Sequence, residues 1–449
     1  MHFSLEEVEY TLPYNIVAKK DPEMEFPNLR LQVIAFKNGE RYPLLVDSTG
    51  LPLWHPTLYA TTQLRNASKA PNTMVAVLAA IRSLLSWAAS IGMDLERRLA
   101  QRHFLNDQEI ESLRSYSESP WSSKPPPEKC RKLSLPNGIE RARGAAVEAL
   151  PRVAAGTHYI RMTYAADYLE WLSKRLIERE ARQLNGETLV AITQMTKAIK
   201  LRRPVKSSRS LLAARRGLDE KAQAVLLDVI VPNSPRNPFE VAVRARNQII
   251  VRLLLDLGTR AGELLALKVS DFDFLTNTVI VARRHDDLED PRVNQPVAKT
   301  LDRRIPLSNS LASLVRAYVM SDRHMAARAR QHPFLLVVHQ HGPLLGAPLN
   351  AQGLGKMFRT LRSVAPEILA GLSPHTLRHT ANDRLSARMD EDGTSIAEEE
   401  QLRSYIMGWR QGSGTAATYT RRHIERKAQE LMLNLQQSKA NRKRRDGNA

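Results

Sequence analysis

Between Lys197 and Arg216 the chain carries eight cationic residues, Lys197, Lys200, Arg202, Arg203, Lys206, Arg209, Arg215 and Arg216, interrupted by Pro204 and a Ser207-Ser208 pair. A helix does not continue through such a proline, and so dense a set of like charges is not buried without partners. One hydrophobic core therefore cannot run across this segment. Length makes the same demand, because 449 residues exceed what a single core usually holds and two or three domains are expected. A basic linker over 206–217 fits, either as a solvated connector or as a strip that lies along a polyanion and neutralises its phosphates.

The remaining pattern is mostly helical. Residues 1–50 form a strand-rich appendage, with apolar and polar positions alternating over 31–36 and 42–46 around Asn38-Gly39, a hairpin signal. Residues 51–205 show apolar positions at helical spacing over 74–91 and 159–176, separated by a Pro/Ser-rich loop at 117–127. From 218 to 267 the pattern is helical again, then 278–282 and 304–307 read as short strands, with 333–338 as a third. Helices dominate to 435, and 436–449 is a basic tail. The fold class expected is mainly α with a small β-sheet.

Lys and Arg outnumber Asp and Glu by 66 to 47, a formal charge of +19 spread over the whole length. A polyanionic partner is the natural reading of such a balance, and the resemblance described below makes it double-stranded DNA. The single cysteine, Cys130, excludes an intramolecular disulfide framework and fits a reducing compartment. No uninterrupted apolar run approaches a membrane span, and the first residues lack the pattern of a secretory signal. A cytoplasmic, nucleoid-associated protein without a membrane partner is expected.

Four short motifs carry chemistry. Gly258 stops one helix and Thr259 can cap the next, which places Arg260 in a first turn with Glu263 one turn later. Taken alone, that pair would be a surface ion pair. Ser373-Pro374 is an N-cap followed by proline at the first helical position, so His375 and Arg378 share one face near a helix N-terminus, where anions bind. His379 is expected to be packed and hydrogen-bonded. Lys299 falls in the turn between two strands, where an ammonium can reach into a groove and protonate a departing oxygen. Lys268 competes with it but reads as a solvated helix residue. Trp409 can donate one hydrogen bond and cannot act as a base. Tyr419 follows it by ten residues, just beyond Gly412-Ser413-Gly414, whereas Tyr405 lies inside an apolar helix and reads as a decoy. Two guanidinia, one ammonium and one indole can stabilise a pentavalent phosphoryl transition state while a tyrosine attacks and a DNA hydroxyl leaves. No carboxylate cluster suggests a metal and no Gly-rich Lys-Ser/Thr loop suggests a nucleotide; His339-Gln340-His341 precedes Gly342-Pro343 and reads as a turn.

In this order the motifs resemble those of the tyrosine recombinases, or phage-type integrases, over roughly 218–435. The resemblance implies a helical core-binding domain over 51–205 and a mixed α/β catalytic domain over 218–435 that clamp DNA, with Lys197, Lys200, Arg202, Arg203, Lys206 and Arg209 as candidate DNA contacts. It makes Arg260, Lys299, His375, Arg378, Trp409 and Tyr419 the catalytic set, and it implies a 3′-phosphotyrosyl intermediate, a free 5′-hydroxyl, and no need for ATP, metal or other cofactor. The family exchanges strands as a homo-tetramer through a Holliday junction, from protomers that are monomeric or weakly associated when free, sometimes with accessory recombination proteins. Two departures stand out. Most members have histidine where this chain has Trp409, which shifts any base role toward His375. The interval between His379 and Met407 is long, and its acidic stretch 389–401 is expected to face solvent or a protein partner. The integrase of a mobile element fits better than a chromosome-dimer resolvase, because the appendage and this insert exceed a minimal enzyme. A type IB topoisomerase, which would reseal the same strand as a monomer, and a catalytically inactive architectural DNA-binding protein are the alternatives.

The role given to Lys299 yields the first prediction. Lys299→Ala slows cleavage of a normal substrate strongly, by about 100-fold or more, as loss of a general acid does, and a substrate with sulfur at the 5′-bridging position, whose leaving group needs no proton, restores the rate. A sulfur substrate cleaved no faster than the oxygen one by the variant would give Lys299 another role.

Overall fold

The computed structural model describes residues 28–120, 151–181, 185–205, 217–296, 300–412, 428–429 and 431–436. Contacts divide the chain into two compact units, Met1–Gln32 with Pro43–Lys206, and Val33–Tyr42 with Ser207–Ala449. The fold is mainly helical with two small antiparallel sheets among the described residues.

The N-terminal strands pair as expected: β1 (Arg30–Ala35) and β2 (Arg41–Val46) form a two-stranded hairpin. Gly39 at its turn has φ +87°, a conformation that glycine adopts without strain. The first unit continues with α1 (Trp54–Tyr59), α2 (Pro71–Ser90), α3 (Leu95–Ala100), α4 (Asp107–Ser117), α5 (Ala155–Ala181) and α6 (Gly186–Leu201). Side-chain caps fix several starts: Asp94 accepts from the Arg97 amide, Asn106 and Glu109 form a reciprocal box, and Asn185 accepts from the Thr188 amide, each holding an otherwise unpaired helix N–H. α5 packs against α2 and α6, burying Leu78, Ile81 and Leu84 of α2, Leu169 and Leu172 of α5, and Ile192 and Ile199 of α6. α2 is long and apolar enough to cross a bilayer by length and composition, but 56% of its apolar window is buried inside the protein, as in a core helix.

The second unit contains α7 (Glu220–Val229), α8 (Val241–Leu257), α9 (Ala261–Ala266), the strands β3 (Phe272–Asp273), β4 (Thr278–Val281) and β5 (Arg303–Pro306), then α10 (Asn309–Tyr318), α11 (Ala351–Val364), α12 (Pro366–Leu369), α13 (Pro374–Glu391) and α14 (Ile396–Met407). α8 is its central element. Ile249, Ile250, Leu253 and Leu254 are fully or almost fully buried, and the helix packs on both α10 and α13. The sheet runs β3-β4-β5, with Val279 opposite Ile305 and Val281 opposite Arg303.

Three expectations need correction. The run 333–338 is not a strand of this sheet; the third strand is β3. Leu335 N–H donates to Leu267 and Leu349 N–H to Leu336, so the buried run bonds one neighbour on each side through isolated bridges and never forms a ladder. α6 ends at Leu201, just before Pro204, as the proline requires, and the linker expected over 206–217 lies outside the described residues except for Gly217. The acidic stretch is not wholly outward: Glu399 is buried and ion-paired with the buried Arg403 on α14. Arg403 also donates to Ser386 Oγ at 2.8 Å, which ties α14 to α13. Finally, α14 is not an apolar helix, and Tyr405 on it is 60% exposed.

Candidate active site

The site is built on two left-handed helix ends. α8 closes at Gly258, φ +61°, and α14 closes at Gly408, φ +65°. A Cβ on Gly258 would lie 2.9 Å from Met407 Cε, and one on Gly408 would lie 2.8 Å from Arg303 Nη1 and 2.9 Å from Leu301 O. Both positions therefore need glycine for the backbone and for the space. The Leu301 amide donates to Gly408 O at 2.9 Å, joining the approach to β5 with the end of α14.

Beyond Gly258 the chain turns into α9, where Arg260 is itself the N-cap, not a first-turn residue capped by Thr259. Its amide donates to Glu263 Oε2 at 3.0 Å and its guanidinium to Oε1 at 3.4 Å. Glu263 is no surface partner. It is 1% exposed and also accepts from Arg303 Nη2 at 2.8 Å and from Thr300 Oγ1, while Arg378 Nη1 lies 4.0 Å away. Burial pushes the Glu263 carboxyl up, but the Arg303 charge and the hydrogen bonds from Arg303, Thr300 and the Arg260 amide outweigh it and hold the pKa below the ordinary value.

Ser373 caps α13 as expected, accepting from the Thr376 amide, with Pro374 in the first turn. Arg378 is buried and donates to Gly258 O at 2.5 Å and Met407 O at 3.0 Å, so the two helix ends fix its plane. Trp409 is buried beside Met407, its ring 5.4 Å from the Arg378 guanidinium carbon, a cation–π distance. His375 and His379 meet through their Nε2 atoms at 3.0 Å, and His379 is buried, the packed and bonded state expected of it. The start of the unit is tied to the same helix, since Leu218 N–H donates to Thr380 Oγ1 at 2.8 Å and Gly217 N–H to Asp383 at 3.1 Å.

Arg260, Arg378 and Trp409 are thus brought together, with His375 on the first turn of the helix that supplies Arg378. Lys299 and Tyr419 lie outside the described residues, as do Lys206 and Arg209. Thr300, the neighbour of Lys299, is nevertheless bound to Glu263. Of the basic residues in and after α6, Lys197 is exposed, Lys200 pairs with Asp167 at 2.8 Å, Arg202 with Asp107 at 2.8 Å, and Arg203 lies 4.6 Å over the Tyr159 ring. Lys268 is not solvated: it is buried, precedes a 3₁₀ turn and pairs with Asp287 at 2.7 Å and Glu289 at 2.5 Å. Carboxylates on the sheet loop can be neutralised only by a cation that reaches them, and Lys268 does. His339 bonds the Tyr318 hydroxyl at 3.0 Å and burial lowers its pKa to about 4. No group of three or more His, Cys, Asp or Glu side chains suited to a metal occurs among the described residues.

Residues 232–426 match the model of the phage integrase family. Over this segment, less than half of the chain, the sequence is similar to that family. Its curated relatives include Tyrosine recombinase XerD of Halalkalibacterium halodurans, 29% identical over 172 residues that cover 38% of this chain and 48% of the relative, and Tyrosine recombinase XerC of Bacillus subtilis, 27% identical over 136 residues, 30% of this chain and 38% of the relative. The chain spans about half the length, or less, of these relatives. Among solved structures it is similar to the Tn1549 transposon integrase in complex with a circular intermediate DNA, with 18% identity, TM-score 0.34 and coverage of 58% of this chain and 85% of that one, and to XerA recombinase, with 16% identity, TM-score 0.33 and coverage of 82% and 91%.

Sequence reasoning missed Glu263 as a hub, and with it Arg303 and Thr300. A signal was present on β5, where Ile305 faces inward and strand alternation puts Arg303 inward as well. An inward arginine needs a carboxylate.

Glu263→Gln leaves Arg303 buried without its counter-charge and lowers stability by about 3–5 kcal/mol, the usual cost of breaking a buried pair. The sign with pH follows from the lowered pKa: the stabilisation is fully present above the unfolded value, about 4.3, and is lost as pH falls through the lower folded value. The Tm difference between wild type and Glu263→Gln is therefore constant from neutral pH to about 5 and shrinks below about 4. A difference that grows on acidification would contradict the assignment.

Proposed function

We propose that this chain is a site-specific DNA recombinase that cleaves and rejoins duplex DNA through a 3′-phosphotyrosyl intermediate on Tyr419. The observation that carries the proposal is the sharing of one buried carboxylate by three guanidinia, those of Arg303, Arg260 and Arg378, at 2.8, 3.4 and 4.0 Å. Those four side chains keep a net charge of about +2 in a partly desolvated site, where attraction for an anion is stronger than in water. Arg303 is 3% exposed and Arg260 is 35% exposed at its side chain, which supports a structural part for the first and a phosphate-binding part for the second.

In the proposed reaction Arg260 and Arg378 stabilise the non-bridging oxygens as the phosphorus becomes pentavalent. Tyr419 attacks the phosphorus, its phenolic proton passing toward His375, and Lys299 protonates the 5′-oxygen as it leaves. Trp409 packs behind Arg378 and holds its plane. The 5′-hydroxyl of a second strand reverses these steps and releases the tyrosine. The bond energy is kept in the phosphotyrosine throughout, so ATP has no step to drive.

The domain organisation goes with this reading: an appendage at 1–50, a core-binding domain at 51–205, a linker at 206–217 and a catalytic domain at 218–435. We also assign the chain to a mobile element's integration machinery in the cytoplasm, with nucleoid DNA as its partner. Assembly as a tetramer on DNA is favoured over the monomeric action of a topoisomerase by one observation. Leu431, Met432, Leu433 and Leu435 in the last described helix are 55–62% exposed, a dense apolar surface that needs cover. In the sequence Ile424, Ala428, Leu431 and Leu435 recur at helical spacing as one apolar stripe, of which Ile424 lies outside the described residues.

Two experiments test this reading. Tyr419→Phe retains DNA affinity and forms no covalent adduct on nicked suicide substrates; adducts surviving in that variant would place the nucleophile elsewhere. A chain ending at Arg422 binds a single half-site but forms no four-protomer complex on paired sites in mass photometry. Normal tetramers from that chain would contradict the assembly.

A further inference from the structure

Arg403 is a fully buried cation that the mechanism above does not use. It is 0% exposed, and a charge taken that far out of water is costly unless it is paired and hydrogen-bonded. Glu399, one turn earlier on α14, supplies the counter-charge, but only part of the guanidinium is engaged there. Nη1 also donates to Asn382 O at 3.2 Å and to Asn382 Oδ1 at 3.4 Å, and Nη2 donates to Ser386 Oγ at 2.8 Å. Asn382, on α13, is likewise 0% exposed.

The two ends of an amide side chain have nearly the same shape, and their neighbours decide which is which. A guanidinium only donates, so the end of Asn382 that faces Arg403 is the oxygen. The nitrogen is thereby aimed the other way, where it donates to Arg378 O at 2.9 Å and to Met407 Sδ at 3.3 Å. Arg378 and Asn382 stand four residues apart on α13, as do Arg403 and Met407 on α14, so each pair shares a helix face. The four residues make a closed frame. Arg403 meets Asn382 at one end, the Arg378 guanidinium meets Met407 O at 3.0 Å at the other, and the Asn382 amide runs between. One amide thus holds both partners of the bond that orients Arg378, the backbone of the first and the side chain of the second.

We propose that Arg403 is a positioning residue for cleavage: through the Asn382 amide it fixes the end of α14 against α13, and so fixes the plane in which the Arg378 guanidinium meets the scissile phosphate. This rests on the reading of the chain as a recombinase with Arg378 as a phosphate ligand. Glu399 balances the charge, while Arg403 and Asn382 carry the geometry.

The test compares the full wild-type chain with Glu399→Gln, with Glu399→Leu combined with Arg403→Met, with Asn382→Leu and with Tyr419→Phe. It reads melting temperature, half-site binding, and single-turnover adduct formation on nicked suicide DNA at saturating protein. Glu399→Gln keeps an acceptor for Arg403 but leaves its charge uncompensated, so it is expected to melt well below wild type and still to cleave near the wild-type rate. The double variant removes both charges together, a replacement that often costs little stability. It is expected to melt above Glu399→Gln yet to cleave about 10- to 100-fold more slowly, as a small displacement of a catalytic group does. Asn382→Leu cuts the same link from α13, leaves the ion pair in place, and is expected to show the same slowing. Half-site affinity changes little in all three, because many phosphate contacts set it. Inverted orders of stability and activity are what a mere strut cannot give. Wild-type rates in the double variant or in Asn382→Leu overturn the proposal, as do rates that follow melting temperature or half-site binding across the set. If the double variant does not fold, Asn382→Leu decides alone. A wild-type chain that forms no adduct, or a Tyr419→Phe variant that does, instead defeats the recombinase reading and is recognised separately.

Discussion

The second unit depends on one carboxylate being kept ionised where water cannot reach it. Glu263 is 1% exposed and takes hydrogen bonds from Arg303, Thr300 and the amide and guanidinium of Arg260. The donors come from two places far apart in sequence, the cap of α9 and the start of β5 with the residues leading into it. Losing the carboxylate would leave several cations clustered without compensation, which costs more than any single hydrogen bond in the network returns. Cations brought near each other by a buried anion are also ready to receive a second, external one.

Glycine supplies the other constraint. Two helices end in left-handed residues, Gly258 and Gly408, and the carbonyl of Gly258 and that of Met407, just before Gly408, are the acceptors that orient Arg378. A helix end leaves carbonyls unpaired; here two of them are satisfied by the cation of the site. The same corners bring Met407 against Gly258 and Arg303 against Gly408, so backbone closure and side-chain placement are one event. Trp409 then follows directly after the second corner and packs within cation–π reach of the guanidinium.

Much of this was legible in the sequence. Ser373-Pro374 gave the start of α13, Asn38-Gly39 gave the hairpin, and Gly258 gave the end of α8, because caps and turns are decided by a few local atoms. Arg260, Arg378 and Trp409 were singled out through motif order, and the structure brings them near one another around Glu263 and the end of α14. What was hidden is long-range. No local rule tells that Glu263 turns inward to meet Arg303, forty residues later; that Lys268 is drawn down by Asp287 and Glu289; or that Arg41 docks on a loop some 250 residues away. The run 333–338 was misread for the same reason: its apolar character reported burial correctly, but its partners on either side decided that it would not be a sheet strand.

The most direct measurement is a structure of the Tyr419→Phe chain bound to an uncleaved recombination half-site or, before a natural site is known, to a tightly bound duplex. The account predicts a backbone phosphate with non-bridging oxygens about 3 Å from the guanidinium nitrogens of Arg260 and Arg378, and with Glu263 still bound to Arg303 beneath them. A DNA backbone that passes elsewhere on the unit, leaving both guanidinia in contact with protein alone, would contradict it.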